Sequence, residues 1–240
     1  MNDWNTYGEY YDSLYKDYHE YLEFWKTCWD PSWKSVMEIG TGTGRFISLL
    51  KEIGVKEYVR LDTAIQMLNQ IPKEYASECY QWFCKDLVDF ETTKRFDLII
   101  YTFNTFSYIL SLEQATKHLL KCKALLNEKG LIAIDFTSYA RTYSEEEFAA
   151  KKDNTAAVVE YDYKYDPVEM IETRYLKYIK DGQVVDKWQL ARRCYISEEI
   201  LKIAESVELA VHKYEKTEIA PGKYNTSLFL KVNDVTKITV

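Results

Sequence analysis

Residues 36–44 read Val-Met-Glu-Ile-Gly-Thr-Gly-Thr-Gly, and this stretch decides the fold. Its first four residues form a short, mostly apolar run that ends at glycine, which is typical of a buried parallel strand. The three glycines let the backbone turn tightly and approach a ligand closely, and the helix predicted from about Arg45 offers free N–H groups. The spacing is GxGxG, whereas the dinucleotide fingerprint is GxGxxG and the phosphate loop is GxxxxGK(S/T). The stretch predicts a ligand-binding strand, loop and helix, and it disfavours NAD and ATP as the ligand.

Strand and helix signals alternate along the next hundred residues. Residues 4–29, before the glycine stretch, carry aromatic and aliphatic side chains at helical spacing, which predicts one or two N-terminal helices. The alternation that follows indicates βαβ units and a parallel, doubly wound sheet. We predict helices at about 45–53, 65–70 and 112–126, and strands at 57–61, 79–84, 96–102 and 131–136.

The pattern changes after residue 137. Apolar and polar residues alternate with period two along three segments, and Asp181-Gly182 is a strong hairpin signal, so these segments predict antiparallel strands. The chain is therefore predicted to be an α/β protein with a Rossmann-like, doubly wound, mostly parallel seven-stranded sheet, N-terminal helices, and an inserted antiparallel sheet after strand five. The late elements are strands at about 159–165, 170–176 and 184–195, a helix at 197–206, and strands at 209–216 and 224–232.

Composition narrows the classes of partner. The 240-residue chain has a formal net charge of −7 and a pI of about 5.2, so it lacks the basic field that nucleic acid requires. Five cysteines are scattered without CxxC spacing, which argues against zinc and against a disulfide framework; no metal is predicted. The N-terminus has no basic, apolar leader, and no stretch approaches 18 apolar residues, so we expect a cytoplasmic protein without membrane contact.

Asp62 closes the second predicted strand, 22 residues after Gly40. This position puts a carboxylate beside the glycine stretch, where it can accept hydrogen bonds from both hydroxyls of a ribose. The alternative role is an N-cap for the following helix, and the two roles are compatible because Thr63 could cap equally well. The strand context favours the ribose role.

Together these segments resemble the motifs of class I S-adenosylmethionine-dependent methyltransferases. The similarity covers roughly residues 34–136, and its departures, Thr41 for a frequent cysteine or alanine and Ala64 for a frequent serine, touch no group essential for binding. The segments that carry it are the glycine motif Glu38–Phe46, the acidic motif Asp62–Leu68, the adenine segment Lys85–Leu87, the fourth strand Phe96–Ile100 and the entry to the fifth, Leu126–Leu131.

The resemblance implies an enzyme that binds S-adenosylmethionine. Gly40, Thr41 and Gly42 would hold its methionine and ribose portion, and Asp62 its ribose hydroxyls. Asp86 and the Leu87 backbone would hold adenine. Glu38 would act near the methionine ammonium, directly or through water. The full set of predicted cofactor-binding residues is Tyr15, Glu38, Gly40, Thr41, Gly42, Arg45, Asp62, Thr63, Met67, Asp86, Leu87, Tyr101 and Phe103.

The sequence gives less information about the molecule that accepts the methyl group than about the cofactor. Methyl transfer from a sulfonium is an in-line displacement that needs alignment, and a neutral amine attacks without a base, whereas a hydroxyl usually needs a base or a metal. Residues 101–109 lack the (D/N/S)PP(Y/F/W) pattern of nucleobase methyltransferases and resemble small-molecule N-methyltransferases that act on nucleotide-linked amino sugars. We predict Asn104 and Tyr11 as catalytic residues. Tyr11 and Tyr15 belong to a tyrosine-rich N-terminal segment, and the alternative role of these two tyrosines is packing in the core.

The sequence also predicts how the chain is organised into one domain with two appended parts. One methyltransferase domain spans 1–240, with a helical lid at 1–30 and an inserted substrate-side subdomain at 138–195. His19, His118 and His212 are interpreted as surface or packing residues rather than bases. An exposed strand edge or the inserted sheet could pair two chains into a homodimer. Alternative functions are an oxygen methyltransferase of small molecules, a non-catalytic S-adenosylmethionine-binding partner protein and, disfavoured by the loop spacing, an NAD-dependent dehydrogenase.

Overall fold

The computed structural model describes residues 3–15, 20–140 and 158–233, which form two sheets and the helices around them. The larger sheet has seven strands in the order β3-β2-β1-β4-β5-β10-β9, and all of its pairs from β3 to β5 are parallel. These strands are β1 Ser35–Ile39, β2 Glu57–Asp62, β3 Tyr80–Cys84, β4 Phe96–Tyr101, β5 Leu126–Tyr139, β9 Leu209–Ala220 and β10 Lys223–Val232.

The strand order reverses between β1 and β4, at the middle of the sheet. In open α/β sheets the crevice outside the carboxyl ends of the strands at such a reversal is where ligands bind. Both strands are mostly apolar and almost fully buried, as is typical of central parallel strands. The glycine stretch leaves β1 at this point.

Helices cover both faces of the large sheet. Trp25, Ile47 and Leu50 pack against one face, and Leu119 and Ile203 against the other. The helices are α1 Trp4–Tyr15, α2 Glu20–Cys28, α3 Ile47–Glu52, α4 Ile65–Leu68, α5 Leu112–Leu125 and α6 Ser197–Ser206, with short 3-10 turns at Lys73–Tyr75 and Thr105–Tyr108.

The predicted inserted antiparallel sheet is confirmed. It consists of β6 Val158–Asp166, β7 Ile171–Lys180 and β8 Gln183–Arg193, in the order β6-β7-β8. The hairpin between β7 and β8 turns at Asp181 and Gly182, which adopt φ values of 50° and 76°. The fold class predicted from the sequence is therefore correct in both of its sheets.

Several predicted boundaries were wrong. The strand β5 begins at Leu126, not at residue 131, because Leu126 pairs with Phe96 of β4, and it continues to Tyr139 because β10 pairs with it from Leu131 to its end. Gly130 therefore lies inside a strand, where a Cβ would approach the Phe96 carbonyl oxygen to 2.6 Å. The helix predicted from Arg45 begins two residues later, because residues 42–46 form turns that close the glycine loop.

No helix in the described ranges is long and apolar enough to cross a membrane. The location in the cytoplasm and the homodimer stay predictions from the sequence.

Candidate active site

The glycine loop is held against the end of the neighbouring strand. Gly40, Gly42 and Gly44 adopt φ values of 70°, 57° and 81°, a left-handed region that other residues rarely enter. The N–H groups of Gly40 and Thr41 both donate to the Leu61 carbonyl oxygen, at 2.8 and 3.0 Å. A Cβ on Gly40 would lie 2.2 Å from Cγ2 of Thr105. The loop therefore needs glycine both for its backbone angles and for its contact with the segment after β4.

Asp62 supports the loop with its carboxylate. Oδ2 accepts the Gly42 N–H at 2.8 Å, and Oδ1 accepts the Ala64 N–H at 2.8 Å. Burial raises the pKa of Asp62, although these backbone donors oppose the shift. Each oxygen keeps a further lone pair for a ligand hydroxyl. The bond to Ala64 closes a local turn before α4, whose N-cap is Ala64 without a side-chain hydrogen bond, so Asp62 does not cap that helix. Its ribose role stays a prediction.

Glu38 is a buried acid at the end of β1. Tyr58 donates its hydroxyl to Oε2, Thr41 donates to the same oxygen at 2.7 Å, and Thr102 donates to Oε1 at 3.0 Å. Burial raises the pKa of the Glu38 carboxyl, and the three hydroxyl donors oppose that shift. The carboxylate is thereby fixed in position at the cavity wall, as a group that receives an ammonium should be.

Asp86 and His118 meet at the side of the site predicted for adenine. His118 Nε2 lies 3.4 Å from Asp86 Oδ1, and Nδ1 lies 3.1 Å from the Tyr101 hydroxyl. When that hydroxyl donates to Nδ1, Nε2 carries the proton and faces the carboxylate. The hydrogen bond from His118 lowers the pKa of Asp86. His118 is buried in the cavity wall, which agrees with the packing role among the two predicted from the sequence. His212 is exposed on β9 and His19 lies outside the described residues.

The turn after β4 is strained. Phe103 and Asn104 adopt φ values of 54° and 61°, which are unusual for residues other than glycine and concentrate at functional sites. The Asn104 side-chain oxygen accepts the Thr137 N–H, and the Arg45 guanidinium lies 4.9 Å above the Phe103 ring. Asn104 therefore ties this turn to β5 with its oxygen, and its amide NH₂ remains as the group that can face a ligand.

The predicted site residues surround one cavity of about 1070 Å³. All of them except Tyr15 contribute to its wall; Tyr15 ends α1, and its side chain lies outside the described residues. Those in the wall are Tyr11, Glu38, Gly40, Thr41, Gly42, Arg45, Asp62, Thr63, Met67, Asp86, Leu87, Tyr101, Phe103 and Asn104.

Helix α1 forms the roof of this cavity. Gly8 packs directly on α4, where a Cβ would lie 3.3 Å from the Met67 backbone nitrogen. The Thr43 hydroxyl donates to Asp12 at 2.5 Å, which joins the roof to the glycine loop. On its other side the Tyr10 hydroxyl donates to Asp186 at 2.7 Å. The helix thus connects the large sheet to the antiparallel sheet.

The far end of the cavity contains groups that the sequence reasoning missed. The antiparallel sheet contributes Ile171 and Arg192 to the wall, and the turn before β7 contributes Glu169. Tyr108 enters from the 3-10 turn, with Trp4 of α1 at a ring distance of 4.5 Å. Arg192 could have been found, because it is a charged residue at a position whose period-two neighbours, such as Leu190, are apolar.

Residues 36–130 match the family described as a methyltransferase domain. The match contains the glycine loop, Asp62 and Asp86, and ends before the antiparallel sheet. No curated protein matches this sequence.

Solved structures resemble the chain over nearly its whole length. An S-adenosylmethionine-dependent methyltransferase from Clostridium acetobutylicum ATCC 824 is 18% identical, with a TM-score of 0.75 over 97% of this chain and 100% of that chain. The CcbJ methyltransferase from Streptomyces caelestis is 15% identical, with a TM-score of 0.75 over 96% and 99%. The sugar N-methyltransferase KedS8 from Streptoalloteichus sp ATCC 53650 is 12% identical, with a TM-score of 0.65 over 93% of each chain. Likeness at these identities shows the fold alone. The family match adds to this: residues 36–130 are similar to a methyltransferase domain, in agreement with the enzyme class and the S-adenosylmethionine cofactor predicted from the sequence motifs.

Proposed function

We propose that this S-adenosylmethionine-dependent methyltransferase transfers a methyl group to an amine nitrogen of a small molecule. The observation that carries the proposal is the shared cavity, which has a cofactor end built from the large sheet and a second end built from α1 and the antiparallel sheet. Its volume of about 1070 Å³ lies at the upper end of the range of about 300–1000 Å³ typical of ligand sites. It therefore offers room for the cofactor and a small acceptor together.

The residues at the cofactor end fit the chemistry of S-adenosylmethionine. Asp62 offers carboxylate lone pairs to ribose, Asp86 offers them to the adenine amino group, and Glu38 offers a fixed negative charge to the methionine ammonium. Gly42 has no atom within 4 Å of an ideal Cβ, so the loop faces open space where a ligand can approach the backbone. When bound, the cofactor supplies an electrophilic methyl group on a sulfonium.

The chain's own contribution to transfer is alignment and exclusion of water. Trp4, Tyr7 and Tyr11 put aromatic rings of the α1 roof at the cavity, where their faces attract a cation such as the sulfonium. Tyr11 and the amide NH₂ of Asn104 are the groups proposed to contact the acceptor. In this proposal residues 1–30 act as the lid and residues 138–195 as the substrate-side subdomain; of the latter, 141–157 lie outside the described residues.

Nitrogen is favoured over oxygen as the attacking atom. The acceptor end presents phenols, an arginine and Glu169. The one histidine that the described residues contribute to the cavity wall, His118, contacts Asp86 at the cofactor end. Within residues 3–15, 20–140 and 158–233, no three His, Cys, Asp or Glu side chains are grouped to hold a metal ion. A neutral amine needs neither a base nor a metal, whereas a hydroxyl acceptor usually needs one of them, and Glu169 is the carboxylate at the acceptor end that would have to serve it.

A methyl-donor screen tests this function. The purified chain is incubated with S-adenosylmethionine and amino sugars, amino acids, simple amines or phenols; released S-adenosylhomocysteine is measured, and mass spectrometry locates the methyl group. We expect transfer to nitrogen in at least one amine class. Transfer to hydroxyl acceptors alone would establish an oxygen methyltransferase. Cofactor binding without transfer to any acceptor would support a non-catalytic partner protein.

A further inference from the structure

One face of the antiparallel sheet changes character along its length. Its apolar part, formed by Leu176, Trp188 and Leu190, belongs to the cluster that packs against Tyr7 and Tyr10 of α1. Its charged part continues the same face, because side chains two residues apart on a strand point the same way. The charged part consists of Glu172, Arg174 and Arg192, of which Glu172 and Arg192 are direct cross-strand partners. Arg192 carries this charged part into the cavity wall.

Arg192 is held from one side and open on the other. Its Nε donates to Oε1 of Glu172, which has no exposed surface, and its Nη2 lies 3.5 Å from the Tyr139 hydroxyl. Its Nη1 has no hydrogen-bond partner in the part of the chain that the structure describes, and 18% of the side chain is exposed. The terminal fork of the guanidinium, the geometry that binds carboxylate and phosphate through two parallel hydrogen bonds, is thus available at the cavity.

The charge of Arg192 is stable without a ligand. Burial opposes ionisation, but the Glu172 carboxylate outweighs it and holds the pKa of Arg192 above its ordinary value. Glu172 also accepts from Arg174 at 3.2 Å, and Arg174 donates to Glu160 at 2.6 Å, so two acids balance two arginines. Because an apolar filling of such a buried position is often equally stable, stability alone does not account for this network. The network is suited to holding the Arg192 guanidinium in a fixed position at the acceptor end.

We propose that Arg192 binds an oxyanion of the acceptor, a carboxylate or a phosphate, so that the substrate is a small amine that also carries negative charge. The inference rests on the proposed function, since it names the substrate class of the same cavity. The cofactor's own carboxylate is the competing anion, but Arg45 is the cation that follows the glycine loop, whereas Arg192 belongs to the antiparallel sheet, where its charge interacts with Tyr108 and Tyr139. No ion pair joins Glu169 to Arg192 within the described residues, so Glu169 leaves the fork open.

Matched pairs of acceptors that differ in the anion test the proposal. Glycine is compared with glycinamide and glucosamine 6-phosphate with glucosamine, by released S-adenosylhomocysteine; phosphate and acetate alone are titrated into protein loaded with S-adenosylhomocysteine. We expect the acidic member of a pair, or its anion alone, to bind about 10- to 100-fold more tightly than the neutral partner. A response to glycine or acetate identifies the oxyanion as a carboxylate, and a response to glucosamine 6-phosphate or phosphate identifies it as a phosphate.

Three variants separate recognition from a structural role. Arg192→Gln should remove the preference for the acidic member, Arg192→Lys should keep part of it because the charge remains without the fork, and Lys187→Gln, on the same strand outside the cavity, should keep all of it. Thermal unfolding checks that each variant is folded. If Arg192→Gln does not fold, the preference of Arg192→Lys for the acidic acceptor tests the proposal instead.

Four results would overturn the proposal: equal use of neutral acceptors, unchanged discrimination in the Arg192 variants, a tenfold loss of S-adenosylhomocysteine affinity in Arg192→Gln, or no response to any acid, phosphate or acetate. Failure of the proposed function is distinct, because transfer to a hydroxyl of an acidic acceptor would refute nitrogen and retain Arg192.

Discussion

The two ends of the cavity are built on different physical principles. The cofactor end consists of backbone at the carboxyl ends of parallel strands, with carboxylates that each hold two or more fixed donors, as Asp62 and Glu38 do. The acceptor end is assembled from an aromatic helix and a charged strand face that are distant in sequence. The first end can bind its ligand by local geometry alone. The second requires α1 and the antiparallel sheet to meet, so changes in it should alter acceptor selection before they alter cofactor binding.

The largest expected effect concerns the glycine loop. Gly40→Ala adds a Cβ that meets Thr105 and strains a residue with φ of 70°, so cofactor affinity should fall by at least about 100-fold in calorimetry. Gly54→Ala is the matched control, because Gly54 has φ of 81° and open space around it. It should cost about 1 kcal/mol of stability and leave cofactor affinity unchanged. Equal losses of affinity in the two variants would show that the loop contact is irrelevant.

Removal of the Asp62 carboxylate should cost about 1–3 kcal/mol of cofactor binding, since the Gly42 and Ala64 N–H groups lose their acceptor along with the ligand. Asp97→Ala is the control at the opposite end of the sheet, where Asp97 accepts the Lys34 and Ser35 N–H groups at 2.8 and 2.9 Å. That variant should lose stability in urea unfolding and keep its cofactor affinity. An Asp62→Ala protein with undiminished affinity would remove Asp62 from the site.

Asp135 lies on β5 beneath the strained turn, and burial raises its pKa to about 6, with the Phe103 N–H opposing the shift. Because the folded pKa exceeds the ordinary value of 3.8, the contribution of Asp135 to folding stability is fully present below pH 3.8 and is lost as the pH rises to about 6. Asp135→Asn cannot ionise, so at pH 7 it should be more stable than the native chain by up to about 3 kcal/mol, and this gain should vanish near pH 3.5.

The control for this titration has the opposite sign. Backbone donors from Ser35 and Lys34 outweigh the effect of burial and lower the pKa of Asp97, so Asp97→Asn should destabilise the protein at pH 7 and lose that effect in acid. Urea unfolding at several pH values measures both variants. A pH-independent difference between Asp135→Asn and the native chain would refute the assigned burial of Asp135.

The smallest expected effects separate the two attachments of α1. Asp12→Ala breaks the contact with Thr43 and should weaken cofactor binding by about 1 kcal/mol, whereas Tyr10→Phe breaks the contact with Asp186 and should raise the acceptor KM with little change in cofactor affinity. Steady-state kinetics with each substrate varied in turn makes the comparison. Identical effects of both variants on both substrates would mean that α1 acts as one rigid unit rather than as a joint between the two ends.

The cofactor end could be predicted from sequence because its groups lie within short motifs whose spacing fixes their geometry. Gly40 and Asp62 needed only a strand, a turn and a neighbouring parallel strand to come together, and that order follows from the hydrophobic pattern. The alternating segments likewise predicted the antiparallel sheet.

The acceptor end was not predictable to the same degree, because pattern reveals which face of a strand is apolar but not which element covers it. Arg192 and Tyr108 reach one cavity through tertiary packing alone. The contacts of His118 could not be predicted for the same reason, since its partners Asp86 and Tyr101 come from two other elements.

If one end of the cavity holds S-adenosylmethionine while the other selects the acceptor, the two ends should respond differently to substitution. Calorimetric titration of S-adenosylhomocysteine into the native chain, Asp62→Ala and Arg192→Gln measures this difference. We expect binding to the native chain, a loss of about 1–3 kcal/mol in Asp62→Ala and no loss in Arg192→Gln. A native chain that does not bind, or a loss in Arg192→Gln as large as that in Asp62→Ala, would contradict this division of the cavity.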